Sequence, residues 1–295
     1  MSLSPSGLSM LLSCPRKYFH TYEQGLQPES KSWSLIFGSL VHTVFELWRG
    51  GQSPDEAFFN GTKGMPAPPK KDVRTKAKLR VLFDNYRDFY KDDGLVLVTD
   101  PGTGKPATEW KFNMMVPELE ESVPGIIDYT AQWDANEKKG KELWLFDYKT
   151  TTRLEMDWVK QYRVSNQFKA YVWMGTNKYP DIAGIVCDLM RITAGNKKGK
   201  TKYERDGTMF YRLPIRYTSD ALNEWRANMA SGQALKKIYK SSGYWPQNAP
   251  DACKAYGSSC PFLDICDTQD EAIREVIIAG FPKREEKKDV DSHSD

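Results

Sequence analysis

Long apolar runs are missing from this 295-residue chain. No stretch approaches the roughly 20 apolar residues that cross a bilayer, which excludes a membrane-spanning helix as an organising element. The opening residues, Met1 to Phe19, lack the basic start and apolar core of a secretory signal, so a cytoplasmic or otherwise intracellular location is expected. Charge of one sign is scarce: the formal net charge is +3, too small to mark a polyanion-binding protein by itself. Cysteine is sparse and odd in number, with Cys14, Cys187, Cys253, Cys260 and Cys266, which argues against a disulfide framework. No glycine-rich phosphate loop follows a strand, which excludes a doubly wound nucleotide-binding fold. No segment repeats.

What is present suffices for a globular core: 40% hydrophobic, 13% aromatic and 27% charged residues. The expected organisation is a single domain over residues 1–282. The final stretch, 283–295, is charged, poor in apolar residues and expected to be disordered. Basic residues are locally concentrated. Lys63 to Arg80 holds seven Lys/Arg against Asp72, and Asn196 to Arg205 holds five against Glu204. Such clusters on a near-neutral chain fit either a polyanion track or ordinary solvated loops.

Periodicity predicts a helix from Ser4-Pro5 to Cys14-Pro15, with Leu8, Leu11 and Leu12 inward, and a second from Leu35 to Trp48 bearing His42. Residues 61–71 read as a loop. An amphipathic helix is expected over Asp72–Lys91, with Leu79, Leu82, Phe83, Tyr86, Phe89 and Tyr90 inward. Strands follow at Leu95–Thr99, Glu109–Pro117, Ile126–Trp133 and from Leu143. A helix over Asp157–Thr176 comes next, then a buried strand, Ile182–Ile192, holding Cys187 as a core thiol. A basic loop at 195–207, a strand at Met209–Tyr217 and a helix at Ser219–Tyr239 complete the pattern. The class is α/β with a mixed central sheet flanked by helices.

The stretch Gly125-Ile-Ile-Asp128, followed by Asp147-Tyr-Lys149, reads as a β-hairpin with a carboxylate on each strand. Residues two apart on a strand share a face, so Asp147 and Lys149 point together, with Asp128 across the pair. Two facing carboxylates repel unless a cation sits between them, and rigid oxygen donors suit Mg²⁺ or Mn²⁺. A neighbouring lysine can orient a water and face charge developing on a phosphate. Asp-x-Lys also occurs as a solvated strand edge, so the triplet alone leaves both readings open. Glu109, on the preceding strand, offers a third carboxylate or is an exposed strand residue. Gln167 and Tyr171 lie four apart on a helix that follows Lys149, so they share a face turned to the same cleft.

Cys253, Cys260 and Cys266 fall in a turn-rich segment spaced Cys-x6-Cys-x5-Cys. Three thiols lack one for a closed tetrahedral site, and Cys14, in a similar Cys-Pro turn, can be the fourth. Four thiolates fit a [4Fe–4S] cluster or zinc; the absence of Cys-x2-Cys pairs favours the cluster. The site would join the N- and C-terminal regions and act structurally. Free, reduced thiols are the alternative.

Taken in order, these motifs resemble the RecB-like branch of the PD-(D/E)XK nuclease family with an iron–sulfur cluster. The resemblance extends to the AddB nuclease domain and to CRISPR-associated and phage-encoded exonucleases. It rests on Cys14 in Leu-Leu-Ser-Cys-Pro-Arg-Lys-Tyr-Phe, His42 in Phe-Gly-Ser-Leu-Val-His, Gly125-Ile-Ile-Asp128, Asp147-Tyr-Lys149, Gln167-Phe-Lys-Ala-Tyr171 and the cysteine triplet. That triplet is spaced more loosely than the Cys-x2-Cys-x5-Cys of several members. The resemblance implies a restriction-endonuclease-like core. It implies a divalent cation held by His42, Asp128, Asp147 and the main-chain carbonyl of Tyr148. Lys149 would position or activate the attacking water, Gln167 and Tyr171 would hold DNA or brace the site, and Glu109 would match a further acid. The implied activity is metal-dependent exonucleolytic hydrolysis of DNA, on single strands or ends, in recombination, repair or phage or CRISPR DNA processing. Basic clusters would bind phosphates without reading sequence, and the nine Trp and fifteen Tyr include rings that could stack on unpaired bases. The alternative is a non-catalytic DNA-binding or assembly subunit that retains the fold. No helicase motif accompanies these residues.

Overall fold

Caps and apolar stripes set where the chain's elements begin and end. The computed structural model describes residues 3–28, 32–100, 102–119, 121–135, 140–248, 251–255 and 258–284. Two compact units result: Ser32–Ala227, and Met1–Lys31 together with Asn228–Asp295.

The chain begins in the second of these. Helix α1 (Pro5–Ser13) starts where the Ser4 hydroxyl accepts the Gly7 N–H at 3.0 Å. Its buried residues are Pro5, Gly7, Leu8 and Leu11. Leu12, expected inward, lies in the helix's last turn and is 49% exposed. After Cys14 the helix resumes as α2 (Pro15–Tyr18) and loosens into a π-helical turn, Phe19–Glu23.

The unit Ser32–Ala227 opens with α3 (Trp33–Arg49), which buries Phe37, Val41, Val44 and Phe45. A short helix not expected from periodicity, α4 (Pro54–Gly61), follows, and Ser53 and Glu56 form a capping box at its start. Helix α5 (Lys76–Phe89) starts later than the expected Asp72, because the Asp72 carboxylate instead takes the backbone N–H and guanidinium of Arg74. Leu79, Leu82, Phe83 and Tyr86 are fully buried, while Phe89, expected inward, is 46% exposed.

Six strands form one sheet: β1 (Val96–Leu97), β2 (Thr108–Val116), β3 (Glu121–Trp133), β4 (Glu142–Thr151), β5 (Ile182–Ile192) and β6 (Thr208–Ile215). The order is β1-β3-β4-β5-β6, with β2 also paired to β3. Only β4 and β5 run parallel; the remaining described pairs are antiparallel, so the sheet is mixed. The parallel crossover is α6 (Met156–Lys160), a 3-10 turn (Gln161–Val164) and α7 (Asn166–Lys178). A single helix over Asp157–Thr176 was the expectation. The chain breaks instead at Ser165, which adopts an extended conformation and accepts the Phe168 N–H on its hydroxyl, starting α7 afresh. The basic stretch 195–207, read as a loop, contains α8 (Lys202–Asp206), opened by a Thr201–Glu204 capping box. Side chains of α3 and α5 bury against Tyr129, Phe146, Tyr148, Val186, Met190 and Phe210 of the sheet. That layer fixes the strands carrying Asp128, Asp147 and Lys149.

Helix α9 (Ser219–Ser242) follows. In the unit that includes both chain-terminal segments, Gly232 of α9 lets Leu8 approach so closely that a Cβ there would stand 2.2 Å from its methyl carbon. A two-residue hairpin, β7 (Lys254–Ala255) and β8 (Ser258–Ser259), leads to α10 (Leu263–Asp267) and α11 (Glu271–Gly280). Lys283 and Arg284, grouped with the charged tail on composition, pair with Leu26 and with the Gly25 carbonyl. Residues 285–295 of that expected tail lie outside the described residues. Among the described residues no helix is long and apolar enough to cross a membrane.

Candidate active site

The site forms where two strands part. β3 pairs with β4 from Trp133↔Glu142 up to Tyr129↔Phe146 and stops. One step further the register sets Asp128 opposite Asp147. There the Tyr148 N–H donates to Asp128 Oδ2 at 2.6 Å, so a side chain takes the place of a ladder partner. On the other side of β3, the register between Thr108↔Tyr129 and Trp110↔Ile127 sets Glu109 opposite Asp128. Glu109 has φ 44°, a left-handed conformation that costs a non-glycine residue free energy. Gly125 has a steric reason of its own. It faces Phe112 in register, and a Cβ there would meet the ring at 1.9 Å. The Phe112 ring in turn meets Tyr171 edge-on, with centroids 5.7 Å apart.

Helix α3 delivers His42. Its Nδ1 lies 2.7 Å from Asp128 Oδ1, and the imidazole is 31% exposed. Burial alone would lower the imidazole pKa; the hydrogen bond and charge of Asp128, aided by Asp147, outweigh it and raise the value. With the proton on Nδ1, Nε2 keeps its lone pair. One turn further, Glu46 hydrogen-bonds Glu109, and its carboxyl is raised by burial and by that neighbour's charge. Sequence reading did not single out Glu46. The available signal was its four-residue spacing from His42, which puts both on one helix face.

Asp147 and Lys149 lie on one face of β4. The Lys149 ammonium sits against Asp147 Oδ2 as an ion pair, with the carboxylate 4% and the amine 26% exposed. Burial raises the Asp147 carboxyl, and Lys149 offsets this only in part. Burial would strip Lys149 of its proton, but the Asp147 charge and bond hold its pKa above the ordinary lysine value. Phe168 lies 5.6 Å below the ammonium. Next to it, Gln167 Nε2 donates to the Tyr171 hydroxyl at 2.7 Å. Burial, then Asp147, pushes that phenol up to about 12.

These donors fit a divalent cation. Two carboxylates stand opposite each other in register, with an imidazole nitrogen beside Asp128 and an ammonium beside Asp147. An oxygen-rich set of this kind suits Mg²⁺ or Mn²⁺. Among the described residues no group of three or more His, Cys, Asp or Glu side chains is gathered closely enough to hold a metal ion as arranged. Asp128 is engaged by His42 and Tyr148, and Asp147 by Lys149.

Cys14, Cys253, Cys260 and Cys266 all belong to the unit that includes both chain-terminal segments. The Cys260 N–H donates to the Cys253 carbonyl at 2.8 Å, closing the β7–β8 hairpin, and Cys266 sits on α10. Burial raises the thiols of Cys260 and Cys266, and the other thiols add to this. Lys17 opposes it at Cys260 and Arg16 at Cys266. Cys260 thus feels Cys253 and Cys14, and Cys266 feels Cys260, Cys14 and Cys253, though among the described residues the thiols are not gathered closely enough to hold a metal as arranged. Cys187 is buried in β5, as its core reading required.

Compared with known proteins, the sequence matches the model of the PD-(D/E)XK nuclease superfamily over residues 2–267. No curated protein sequence matches it. Among solved structures, a candidate exonuclease from Eubacterium rectale is similar over 86% of this chain and 88% of that one, at 11% identity and a TM-score of 0.49. The protein SSO0001 is similar over 89% of this chain and 93% of that one, at 13% identity and a TM-score of 0.30. At those identities and scores neither likeness bears on activity.

Proposed function

The chain belongs to the PD-(D/E)XK nuclease superfamily, and from that premise we propose that it is a divalent-metal-dependent DNA exonuclease acting on single strands or DNA ends. Its mixed sheet is the restriction-endonuclease-like core of that superfamily, whose nucleases generally use divalent metals such as Mg²⁺. The observation that most supports the activity is the parting of β3 and β4, which leaves Asp128, Asp147 and Lys149 facing one opening with His42 on its rim.

The roles follow from chemistry. His42, Asp128, Asp147 and the Tyr148 carbonyl hold Mg²⁺ or Mn²⁺. When bound, the cation neutralises phosphate charge and makes nearby water more acidic. Lys149 keeps its proton in this pocket. It therefore acts as an ammonium that orients the attacking water and faces charge gathering on the phosphate. Gln167 and Tyr171 hold the far wall beside Asp147, and the Glu46–Glu109 pair braces Asp128 from β2. Cys14, Cys253, Cys260 and Cys266 hold a [4Fe–4S] cluster, with Arg16 and Lys17 offsetting its negative charge; zinc is the lesser alternative. The cluster's role is structural.

The test is digestion of end-labelled single-stranded, double-stranded and circular DNA with Mn²⁺, Mg²⁺ or EDTA. Metal-dependent loss of linear but not circular substrate is expected. Lys149→Ala and Asp128→Ala should lose about 10²-fold or more in rate while retaining the fold and DNA binding. Wild-type protein that binds DNA but cuts none under any metal would replace this reading with that of a non-catalytic subunit. Iron analysis and melting of Cys260→Ala test the cluster separately: unchanged iron content and melting temperature would remove it.

A further inference from the structure

We propose that Arg191 and Tyr211 form a single-stranded DNA strip beside the candidate active site, Arg191 taking a backbone phosphate and Tyr211 stacking on a base. The inference rests on the nuclease reading above and adds to it the path of the strand.

The register places these residues. Lys149 pairs with Leu189 and Thr151 with Arg191 across the parallel strands, while Leu189 pairs with Tyr211 and Arg191 with Met209 across the antiparallel ones. Residues opposite each other share a face, and so do residues two apart. Asp147, Lys149, Arg191, Met209 and Tyr211 therefore lie on one face of the sheet. From Lys149, Arg191 is one strand over and two residues along, roughly 8 Å between Cα atoms at ordinary sheet spacings. That is within a guanidinium's reach of a phosphate neighbouring the one at Lys149.

Arg191 is unusual for having nothing to do. Its Nε is buried with no hydrogen-bond partner, and among the described residues its guanidinium has neither a carboxylate nor a ring against it. Arg212, on the opposite face, shows the contrast: it is paired to two carboxylates and a phenol. A half-buried cation left unpaired beside a phosphate-cleaving site is suited to an anion supplied from outside. On the edge strand next to it, Tyr211 and Met209 are 37% and 36% exposed. Among the described residues the Tyr211 ring packs on no other ring and its hydroxyl makes no hydrogen bond. A free aromatic beside a free cation is the combination that binds unpaired strands.

The chain beyond Arg191 continues the theme. The β5–β6 connection exposes Lys197, Lys198 and Lys200, with no ion-pair partner among the described residues. In the other basic cluster, Lys63–Arg80, four of the seven have partners: Arg74 with Asp72, Arg80 with Asp55 and Asp84, Lys78 with the Asp206 carbonyl and Lys76 with the Phe58 ring. Placement on the sheet face of Lys149 favours the strip over that cluster.

The test is fluorescence anisotropy of a labelled oligothymidylate, and of a labelled duplex, at several salt concentrations in EDTA. Wild type, Arg191→Gln, Arg191→Lys and Tyr211→Ala are compared, with circular dichroism melts to confirm folding. Arg191→Gln should weaken single-strand binding about tenfold and lower the salt slope by about 0.7, one phosphate's worth. Arg191→Lys should restore the slope. Tyr211→Ala should weaken single-strand binding about fivefold or more, with the slope unchanged and the duplex little affected. Single-strand binding within about twofold of wild type, with unchanged slope, in both variants overturns the strip. So does a folded Arg191→Lys that fails to bind if Arg191→Gln unfolds, or wild type that binds no single strand. Digestion separates the two readings. If wild type cuts and these variants bind normally, the strip fails and the nuclease stands. If wild type binds through Arg191 but never cuts, the strip stands and the nuclease reading fails.

Discussion

Two charged clusters sit in the same sheet and differ in access. On the core face Asp188 accepts Tyr86 and Tyr129 hydroxyls at 2.5 and 3.2 Å and Arg212 Nε at 3.1 Å. Arg212 also reaches Asp93 at 2.6 Å and lies 3.8 Å over the Tyr90 ring. The Asp188 and Arg212 side chains are 0% and 3% exposed. At the parted strands, Asp147 has one ammonium for company, and the basic groups around it, Lys149 and His42, are 26% and 31% exposed. Both places set a buried aspartate against a basic side chain. The first cluster is sealed and can only stabilise or destabilise the fold. The second can exchange its partners for ions from solvent.

The largest expected effect comes from breaking the sealed cluster. Arg212→Leu leaves Asp188 buried beside a lost cation and should cost about 3–5 kcal/mol in urea denaturation. Asp147→Asn should do the reverse. It removes a carboxylate that burial already disfavours, so stability should change by less than about 1 kcal/mol, or rise, while cleavage is lost. Equal destabilisation by the two substitutions would erase the distinction.

A smaller effect sharpens the boundary of the open cluster. Gly125→Ala drives a methyl into the Phe112 ring and should cost about 1–3 kcal/mol. In a Phe112→Ala background the same change should cost measurably less, read as coupling in a double-mutant cycle. Additive costs would mean that Gly125 is there for another reason.

Smaller still, Ser165→Ala removes the hydroxyl that starts α7 and should cost about 0.5–1 kcal/mol. Because α7 carries Gln167 and Tyr171, the rate should fall with it; a rate unchanged at equal stability would detach α7 from the site.

The smallest effect lies in the other unit and depends on pH. His20 is 2% exposed, its Nδ1 faces Gln24 Oε1 at 2.6 Å, and its Nε2 is buried without a hydrogen bond. Burial first, opposed by Gln24 and aided by Arg16, lowers its pKa below the ordinary 6.5. The unfolded chain then binds the proton more readily than the folded one. Stability should be full above pH 6.5 and fall as the pH drops below it. His20→Gln should flatten the melting temperature between pH 7 and pH 5; an equally steep wild-type and variant profile would acquit His20.

How much of this was legible depended on whether a feature was local. Ile182–Ile192 could be bounded from sequence because a strand buried on both faces is mostly apolar, here interrupted only by Asp188 and Arg191. The sequence order of Asp128, Asp147 and Lys149 was readable, but the parting of β3 from β4 at Asp128 was not, since no residue type announces where a ladder stops. The break at Ser165 and the short helices α4 and α8 were written in caps, Ser53–Glu56 and Thr201–Glu204, which apolar periodicity overlooks. Glu46 and Arg191 were hidden for a different reason. An acid meeting another acid 63 positions away, or an arginine meeting nothing, is defined by tertiary neighbours.

The division of the chain also governs the order of assembly. Ser32–Ala227 is one continuous stretch, whereas the other unit draws on both chain-terminal segments. During synthesis α1 emerges before the sheet, with Leu8 and Leu11 ready to be buried, yet Gly232, against which Leu8 packs, emerges more than 200 residues later. At about 5–20 residues per second that is a wait of roughly 10–40 s. The core of Ser32–Ala227 can close around its own strands in that interval, while α1 waits for Gly232. A destabilising change at α1 would thus act on the yield of newly made protein before it acted on the finished fold.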